Sequence, residues 1–343
     1  MNKICLFLEK LFGFNILCRI LSSFLFSLLV ILSVSAGMVK GQTTPNPALL
    51  VGEKSGDLLT IVDPESHEII QRIPANANPH EVATIGRYAY VSNTGAGSIT
   101  VIDLESQSLV EGIDLAPLSP IHGLWIAGGK LYFANESSRT IGRYDPNSEE
   151  IDWVLGTGQP QSHMIVVTSG EQRIFTTNMG PGTASILERT EEGSGWELTV
   201  IPTGPRAEGI DVSPDGRELW VSNVNNSTIS VIDVGSKQIV ETLSLNTKFS
   251  NRLKFTPDGR RVFVADLQGN EVLVFDRETR KEVARIDVGG GSEGMQMTPD
   301  GTRVYISVST AGKVVEVDLR TLKVTREIKG FNNPDGLAWS ARE

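Results

Sequence analysis

The sequence predicts an all-β protein made of a repeated four-stranded unit, and three observations support this. First, an acidic residue closes a short β-run at a nearly constant interval of 40 to 45 residues. Second, another β-run ends ten residues before each of these positions, seven times out of seven. Third, the repeated part shows strand-type runs and no helical periodicity. The acidic positions are Asp63, Asp103, Asp145, Glu188, Asp233, Asp276 and Asp318.

Each repeat contains four predicted strands, as the unit beginning at Ala207 illustrates. Its first strand, "EGIDVS", is followed by the turn Pro214-Asp215-Gly216, where glycine permits a positive φ. The second and third strands are "ELWVSN" and "TISVID", and "QIVETLSL" is the fourth, after a turn opened by Asp233. Four strands in about 43 residues are typical of one blade of a β-propeller.

The two ends of the repeated region predict how the ring closes. The first unit starts at its second strand, "ALLVGE", and the chain finishes with a lone first strand, "PDGLAWS" (Pro334–Ser340). Together these segments complete one blade, which leaves no open sheet edge. Six complete units and this composite blade predict a seven-bladed β-propeller domain over residues 47–343.

The repeat also carries a family resemblance. The "YVSN…VID" core resembles the YVTN-type β-propeller repeat, and the resemblance covers about residues 47–340. It implies a periplasmic or secreted binding protein. More distantly, it implies similarity to propeller lactonases, which hold one divalent metal on the axis with Glu, Asn and Asp. Propellers support many functions, so the fold alone assigns no reaction.

Residues 1–36 are predicted to form a secretory signal peptide, followed by a short linker at 37–46. Three basic residues precede an apolar run from Ile20 to Val34, and Val34-Ser35-Ala36 places small residues at a cleavage site. An uncleaved anchor is the alternative, because the apolar run extended to Val39 could just span a bilayer. We therefore expect an exported protein, periplasmic or extracellular, or else anchored to the membrane by an uncleaved signal.

Composition restricts the partners of the exported part. Both cysteines, Cys5 and Cys18, lie in the leader, so the rest of the chain has neither a disulfide nor a thiolate nucleophile. Beyond residue 40 the chain has 27 basic and 40 acidic residues, a net charge near −13. This charge repels phosphate backbones and anionic lipids. We expect no nucleic acid, no membrane association after cleavage, and a monomer.

Seven polar residues occupy equivalent positions at the starts of the first strands, where propeller side chains converge on the central channel. They are Glu81, His122, His163, Glu208, Asn251, Glu293 and Asp335, with His80 beside the first of them. The arc Glu81, His122, His163 and Glu208 comes from consecutive blades and is predicted to ligate one divalent metal. Mixed nitrogen and oxygen ligands suit Zn, Mn or Fe, whereas carboxylate and amide oxygens suit Ca. The remaining positions, Asn251, Glu293 and Asp335 together with Arg252, are predicted to bind a ligand.

Structural explanations compete with each of these predictions. Gly123, Gly209, Gly294 and Gly336 follow ring residues, which indicates crowding at the axis, and the ring could simply line a hydrated channel. Arg206 and Arg252 could offset the repulsion among the ring carboxylates instead of a metal. A polar rim is also predicted where the second strands end, at Asn93, Asn135, Asn178, Asn223 and Asp266, although such asparagines usually bond their own loops.

The sequence thus predicts an exported binding or scaffold module that uses the channel face for a small molecule or a protein. The alternative is a metal-dependent, lactonase-like hydrolase or lyase, in which the metal polarises a carbonyl and a ring carboxylate activates water. The sequence identifies no catalytic residue. A cofactor other than one divalent metal is not expected.

Overall fold

Seven four-stranded antiparallel sheets form the part of the chain that the structure describes. The computed structural model describes residues 42–342, so the predicted leader and the first part of the linker lie outside the described residues. The strands in chain order are β1 (Ala48–Glu53), β2 (Leu58–Val62), β3 (Ile69–Pro74), β4 (Pro79–Ile85), β5 (Tyr88–Asn93), β6 (Ser98–Asp103), β7 (Ser108–Asp114), β8 (Ile121–Ala127), β9 (Lys130–Asn135), β10 (Thr140–Asp145), β11 (Glu150–Gly156), β12 (Ser162–Val167), β13 (Arg173–Asn178), β14 (Thr183–Arg189), β15 (Trp196–Pro202), β16 (Ala207–Val212), β17 (Glu218–Asn223), β18 (Thr228–Asp233), β19 (Gln238–Ser244), β20 (Ser250–Phe255), β21 (Arg261–Asp266), β22 (Glu271–Asp276), β23 (Glu282–Asp287), β24 (Ser292–Met297), β25 (Arg303–Val308), β26 (Lys313–Asp318), β27 (Lys323–Lys329) and β28 (Pro334–Ser340).

Blade 1 is the predicted composite, because its strand order is β28-β1-β2-β3. The C-terminal strand pairs antiparallel with β1, with Leu49 opposite Trp339 and Val51 opposite Leu337. Blades 2 to 7 are the sheets β4–β7, β8–β11, β12–β15, β16–β19, β20–β23 and β24–β27. The predicted seven-bladed propeller, closed by both ends of the chain, is confirmed.

Local sequence explains the strand boundaries. The turn glycines Gly216, Gly259 and Gly301 all have φ near +70°, as the Pro-Asp-Gly pattern predicts. Asp233 accepts a hydrogen bond from the backbone N–H of Ser236 at 2.7 Å, which closes the turn before β19. Within residues 42–342, the helical segments are two three-residue 3₁₀ turns, Val224–Asn226 and Ser309–Ala311.

The hydrophobic core lies between neighbouring sheets. Trp220, Tyr132 and Tyr305 are the largest fully buried side chains, and each packs within its own blade and against the next. The outermost strands are exposed, as in β7, where Leu109 and Val110 face solvent. In the part of the chain described, no helix has the length and apolar character needed to cross a membrane.

Candidate functional site

The seven predicted ring residues stand at irregularities in the innermost strands β4, β8, β12, β16, β20, β24 and β28. In every blade the register between the innermost and second strands shifts at the ring position, as between Ile121 and Leu124 around His122. A bulge of this kind leaves a residue outside the ladder and redirects its side chain. The repeated bulge therefore explains why one polar residue per blade reaches the channel entrance, which we call the mouth.

Backbone crowding at the mouth accounts for the glycines that follow ring residues. A Cβ on Gly336 would lie 2.0 Å from the carbonyl oxygen of His80, and one on Gly294 would lie 2.2 Å from that of Asp335. A Cβ on Gly123 would meet the neighbouring blade at 2.7 Å. The structural explanation for these glycines is confirmed, because at these positions the innermost strands of neighbouring blades leave no room for a side chain.

Arg252 is a buried cation that reaches across the mouth. Its Nη2 donates to Glu81 Oε1 at 2.8 Å, and its Nη1 lies 3.7 Å from Glu208 Oε1. Arg206 adds a second contact to Glu208, with Nε donating to Oε2 at 3.0 Å. Burial disfavours the charge on Arg252, but the surrounding carboxylates, Glu81 first, outweigh it and hold the pKa above its ordinary value. Two of the ring carboxylates are therefore neutralised by arginine.

Lys54 contacts the other two ring carboxylates and supplies one positive charge to the pair. Its Nζ lies 2.5 Å from Glu293 Oε2 and 3.5 Å from Asp335 Oδ2, and both acids are almost fully buried. Burial first, and then the charge of Asp335, raise the pKa of Glu293 to about 7 against the opposing effect of Lys54. A proton on Glu293 thus completes the charge balance of this half of the ring near neutral pH.

Three histidines from blades 2, 3 and 4 stack beside the charged groups. The ring centroids of His80 and His122 are 4.6 Å apart, and those of His122 and His163 are 3.8 Å apart. Burial lowers the pKa of His80 to about 4, and it lowers the pKa of His122 well below its ordinary value. His163 Nδ1 lies 2.6 Å from Glu136 Oε1, and in the tautomer that donates a hydrogen bond from Nδ1–H to this oxygen the lone pair is on Nε2.

Several buried polar atoms at the mouth make no hydrogen bond within residues 42–342. They are His122 Nδ1, His163 Nε2, Asn251 Oδ1, Arg252 Nε and both carboxylate oxygens of Asp335. Such groups are rare in protein interiors, because a buried polar atom without a partner costs about 1–3 kcal/mol. The mouth therefore has hydrogen-bonding capacity that the chain itself does not use.

The four predicted metal ligands have separate partners. Glu81 and Glu208 bind arginine, His163 binds Glu136, and His122 stacks between two imidazoles. Among the described residues, no group of three or more His, Cys, Asp or Glu side chains is arranged to hold a metal ion. The repulsion that motivated a cation is offset by Lys54 and the arginines, and the metal site stays a prediction.

The predicted rim proves to be structural. Asn178 is fully buried, and its Nδ2 donates to Thr183 Oγ1 at 3.0 Å and to Ser185 Oγ at 2.9 Å. Asn93, Asn135 and Asn223 use their amides in the same way. Asp266 accepts hydrogen bonds from the loop N–H groups at 248 and 249. These side chains hold their own loops, as the structural explanation expects.

Sequence reasoning missed Lys54 and Glu136, which contact the ring. Each is the residue directly after a second strand, and Thr94, in the same position of blade 2, contacts His80 Nδ1 at 3.1 Å. The signal was available, because these positions repeat in register with the strand ends. Because the residue type at this position differs from blade to blade, a comparison of the repeats for shared residue types did not reveal it.

Below the charged ring, the channel is lined by a set of apolar residues, which we call the collar. The collar consists of the residue two positions after each ring residue, and all seven are buried and apolar. They are Ala83, Leu124, Ile165, Ile210, Leu253, Met295 and Leu337. A cavity of about 280 Å³ runs from Glu81 and Arg252 past the collar to Trp125, Lys254 and Gln296. The collar thus separates the mouth from the opposite face, which we call the far face.

Comparisons with known proteins support the fold. Residues 195–287 match the family model described as lactonase, 7-bladed beta-propeller. A protein of unknown function from Desulfotomaculum acetoxidans aligns with a TM-score of 0.72 and 15% identity, covering 87% of this chain and 100% of that one. Hydrazine synthase from Kuenenia stuttgartiensis aligns at 0.71 with 16% identity, covering 82% and 98%. A putative 6-phosphogluconolactonase from Bacteroides fragilis aligns at 0.69 with 15% identity, covering 87% and 99%.

A search of curated protein sequences found no significant match. At about 15% identity, the structural similarities establish the fold alone. The family match spans β15 to β23 and includes Glu208, Asn251 and Arg252, but it does not reach the three histidines or Lys54. The resemblance to seven-bladed propeller proteins is confirmed, and the chain is a seven-bladed β-propeller whose relatives in fold include lactonase-like proteins.

Proposed function

We propose that this protein is an exported binding module whose mouth takes a small, uncharged molecule rich in hydroxyl groups. The observation that carries the proposal is the set of buried, unpartnered atoms contributed by different blades. The oxygen of Asn251 and the Nε2 of His163 are acceptors, so their missing partners are donors. Sites of this kind fix a ligand by a few convergent polar groups.

The charge balance supports an uncharged ligand. Glu81, Glu208 and Asp335 face three cations, Arg252, Arg206 and Lys54, within 3.7 Å in each case. A strongly anionic ligand would compete with these carboxylates, and a cation would displace Lys54 or arginine. Hydroxyl groups instead add hydrogen bonds without disturbing the ion pairs.

The proposal is tested by titrating the exported chain with neutral monosaccharides, polyols and sugar lactones, using their phosphorylated counterparts as charged comparisons. Isothermal titration calorimetry should show that neutral compounds bind more tightly. Asn251→Ala should weaken binding at least tenfold, because it removes one acceptor. Asn270→Ala, at an exposed position outside the mouth, is the matched control. Binding that ignores Asn251→Ala, or a preference for phosphorylated compounds, contradicts the proposal.

A lactonase-like hydrolase is the second candidate, and the pair of His163 and Glu136 is the observation that favours it. In that reaction, His163 Nε2 would take a proton from water as the water oxygen attacks the lactone carbonyl carbon. The ring C–O bond would then break, and the imidazolium would return the proton to the departing oxygen. Glu136 would hold the imidazole in the required tautomer.

Hydrolysis of glucono-1,5-lactone, corrected for the spontaneous rate, separates the two candidates. The enzyme hypothesis expects activity that falls at least a hundredfold in His163→Ala, and less in Glu136→Gln. The binding hypothesis expects saturable binding with no rate above background. Export to the periplasm or the extracellular space, and a monomeric state, are part of the same proposal. Cell fractionation and light scattering of the purified chain test them.

A further inference from the structure

A second cavity opens on the far face, away from the charged ring. Its volume is about 570 Å³, and most of its lining is apolar. Trp125, Val212, Phe255 and Met297 provide the larger apolar side chains. This volume lies within the range of small-molecule sites, which is about 300–1,000 Å³.

Lys254 places a positive charge in this lining, which also contains Arg173, paired with Glu188, and Asp215, paired with Arg277. Its Nζ lies 4.7 Å from the centroid of the Trp125 ring, a cation–π distance. No carboxylate lies within 4.0 Å of this ammonium among residues 42–342. The carboxylate of Asp211, in the same lining, instead accepts the backbone N–H of Phe255 at 2.9 Å and that of Val212 at 3.1 Å. The ammonium therefore has no direct ion pair, and the buried carboxylate of Asp211 acts on it only from a greater distance.

We propose that the far-face cavity binds a small monocarboxylic acid that carries an apolar or aromatic group. The carboxylate pairs with Lys254 Nζ, and the apolar part packs against Trp125 and Met297. A single ammonium matches a monoanion better than a dianion such as phosphate, because a second negative charge would be buried without a partner. This proposal does not rest on the function of the mouth, although Trp125 and Lys254 also line the far end of the channel cavity.

The experiment uses 3-phenylpropanoate as the probe, with its uncharged amide and with acetate as comparisons. Calorimetry on the exported chain should show one 3-phenylpropanoate bound per chain, with the amide and acetate each at least tenfold weaker. Lys254→Met keeps the length of the side chain but removes the charge. In this variant the acid should bind no better than the amide. Lys281→Met, at an exposed position just before β23, is the matched control and should leave the affinities unchanged.

Methionine methyl NMR locates the probe. A ring bound in the cavity should shift the Met297 methyl signal, while Met179, outside both cavities, should not move. Trp125→Leu provides a second variant should Lys254→Met fail to fold, and it should weaken the acid and the amide together. Equal binding of acid and amide to the native chain overturns the proposal. The proposal is also overturned if Lys254→Met still binds the acid more tightly than the amide, if acetate binds as tightly as the probe, or if the probe does not bind at millimolar concentration.

Discussion

Replacing Glu293 with Gln should remove a stability change that the native protein shows between acidic and neutral pH. Glu293 is 4% exposed, and burial raises its pKa from an ordinary value of 4.5 to about 7. Because the folded-state pKa is the higher one, the stabilisation by Glu293 is complete below pH 4.5 and is lost as pH rises through about 7. This difference in pKa corresponds to about 3 kcal/mol.

The histidines work in the opposite direction, so the comparison must be made between variants. The folded-state pKa of His80, about 4, lies below its unfolded value of 6.5, so its contribution is lost as pH falls through that interval. Native stability is therefore a sum of opposing trends. Glu293→Gln removes only one of them, because an amide does not titrate.

Urea denaturation of the native chain and of Glu293→Gln at pH 5, 6, 7 and 8 measures the effect. From pH 5 to pH 8, the free energy of unfolding of the native chain should fall by about 2.5 kcal/mol more than that of the variant. Glu192→Gln, in an exposed loop, is the control and should follow the native curve. Parallel curves for the native chain and Glu293→Gln would refute the assignment of a proton to Glu293 near neutral pH.

Three further predictions concern packing, metal and export. Gly336→Ala should destabilise the ring by about 3 kcal/mol, because its Cβ would lie 2.0 Å from a backbone oxygen of blade 2. Gly156→Ala is the control, because its Cβ would have open space around it, and it should change the free energy of unfolding by no more than about 0.5 kcal/mol. Equal urea midpoints for the two variants would contradict this. If His122 and His163 help to hold a cation, chelator should lower the melting temperature of the native chain but not of His122→Ala/His163→Ala. A melting temperature that changes neither with chelator nor with added Zn, Mn and Ca would contradict a metal site at the mouth. Mass spectrometry of exported protein should find an N-terminus near Gly37 and no thiol, and an intact leader in the membrane fraction would indicate an anchor instead.

The repeat could be predicted from the sequence because it is local. The ten-residue offset, the Pro-Asp-Gly turns and the split blade depend on neighbours along the chain, and they predicted the strands, the blade count and the closing role of Pro334–Ser340. Aligning the repeats also predicted which seven residues form the ring, since equivalent positions of equivalent blades must face the same channel. These features could be predicted without knowing which side chains contact one another.

Only the tertiary structure decided which groups meet at the axis. Arg252 and Glu81 are 171 residues apart and lie on blades that are not neighbours, and Lys54 and Glu293 are 239 residues apart. Repeat position gives the angle of a blade around the ring, but it does not give the reach of a long side chain across it. For that reason the sequence could name Arg206 and Arg252 as possible partners of the four ring carboxylates, but only the folded chain gives the pairings and adds Lys54. The apolar collar and the unpaired Lys254 likewise became visible only when seven strands were placed around one channel.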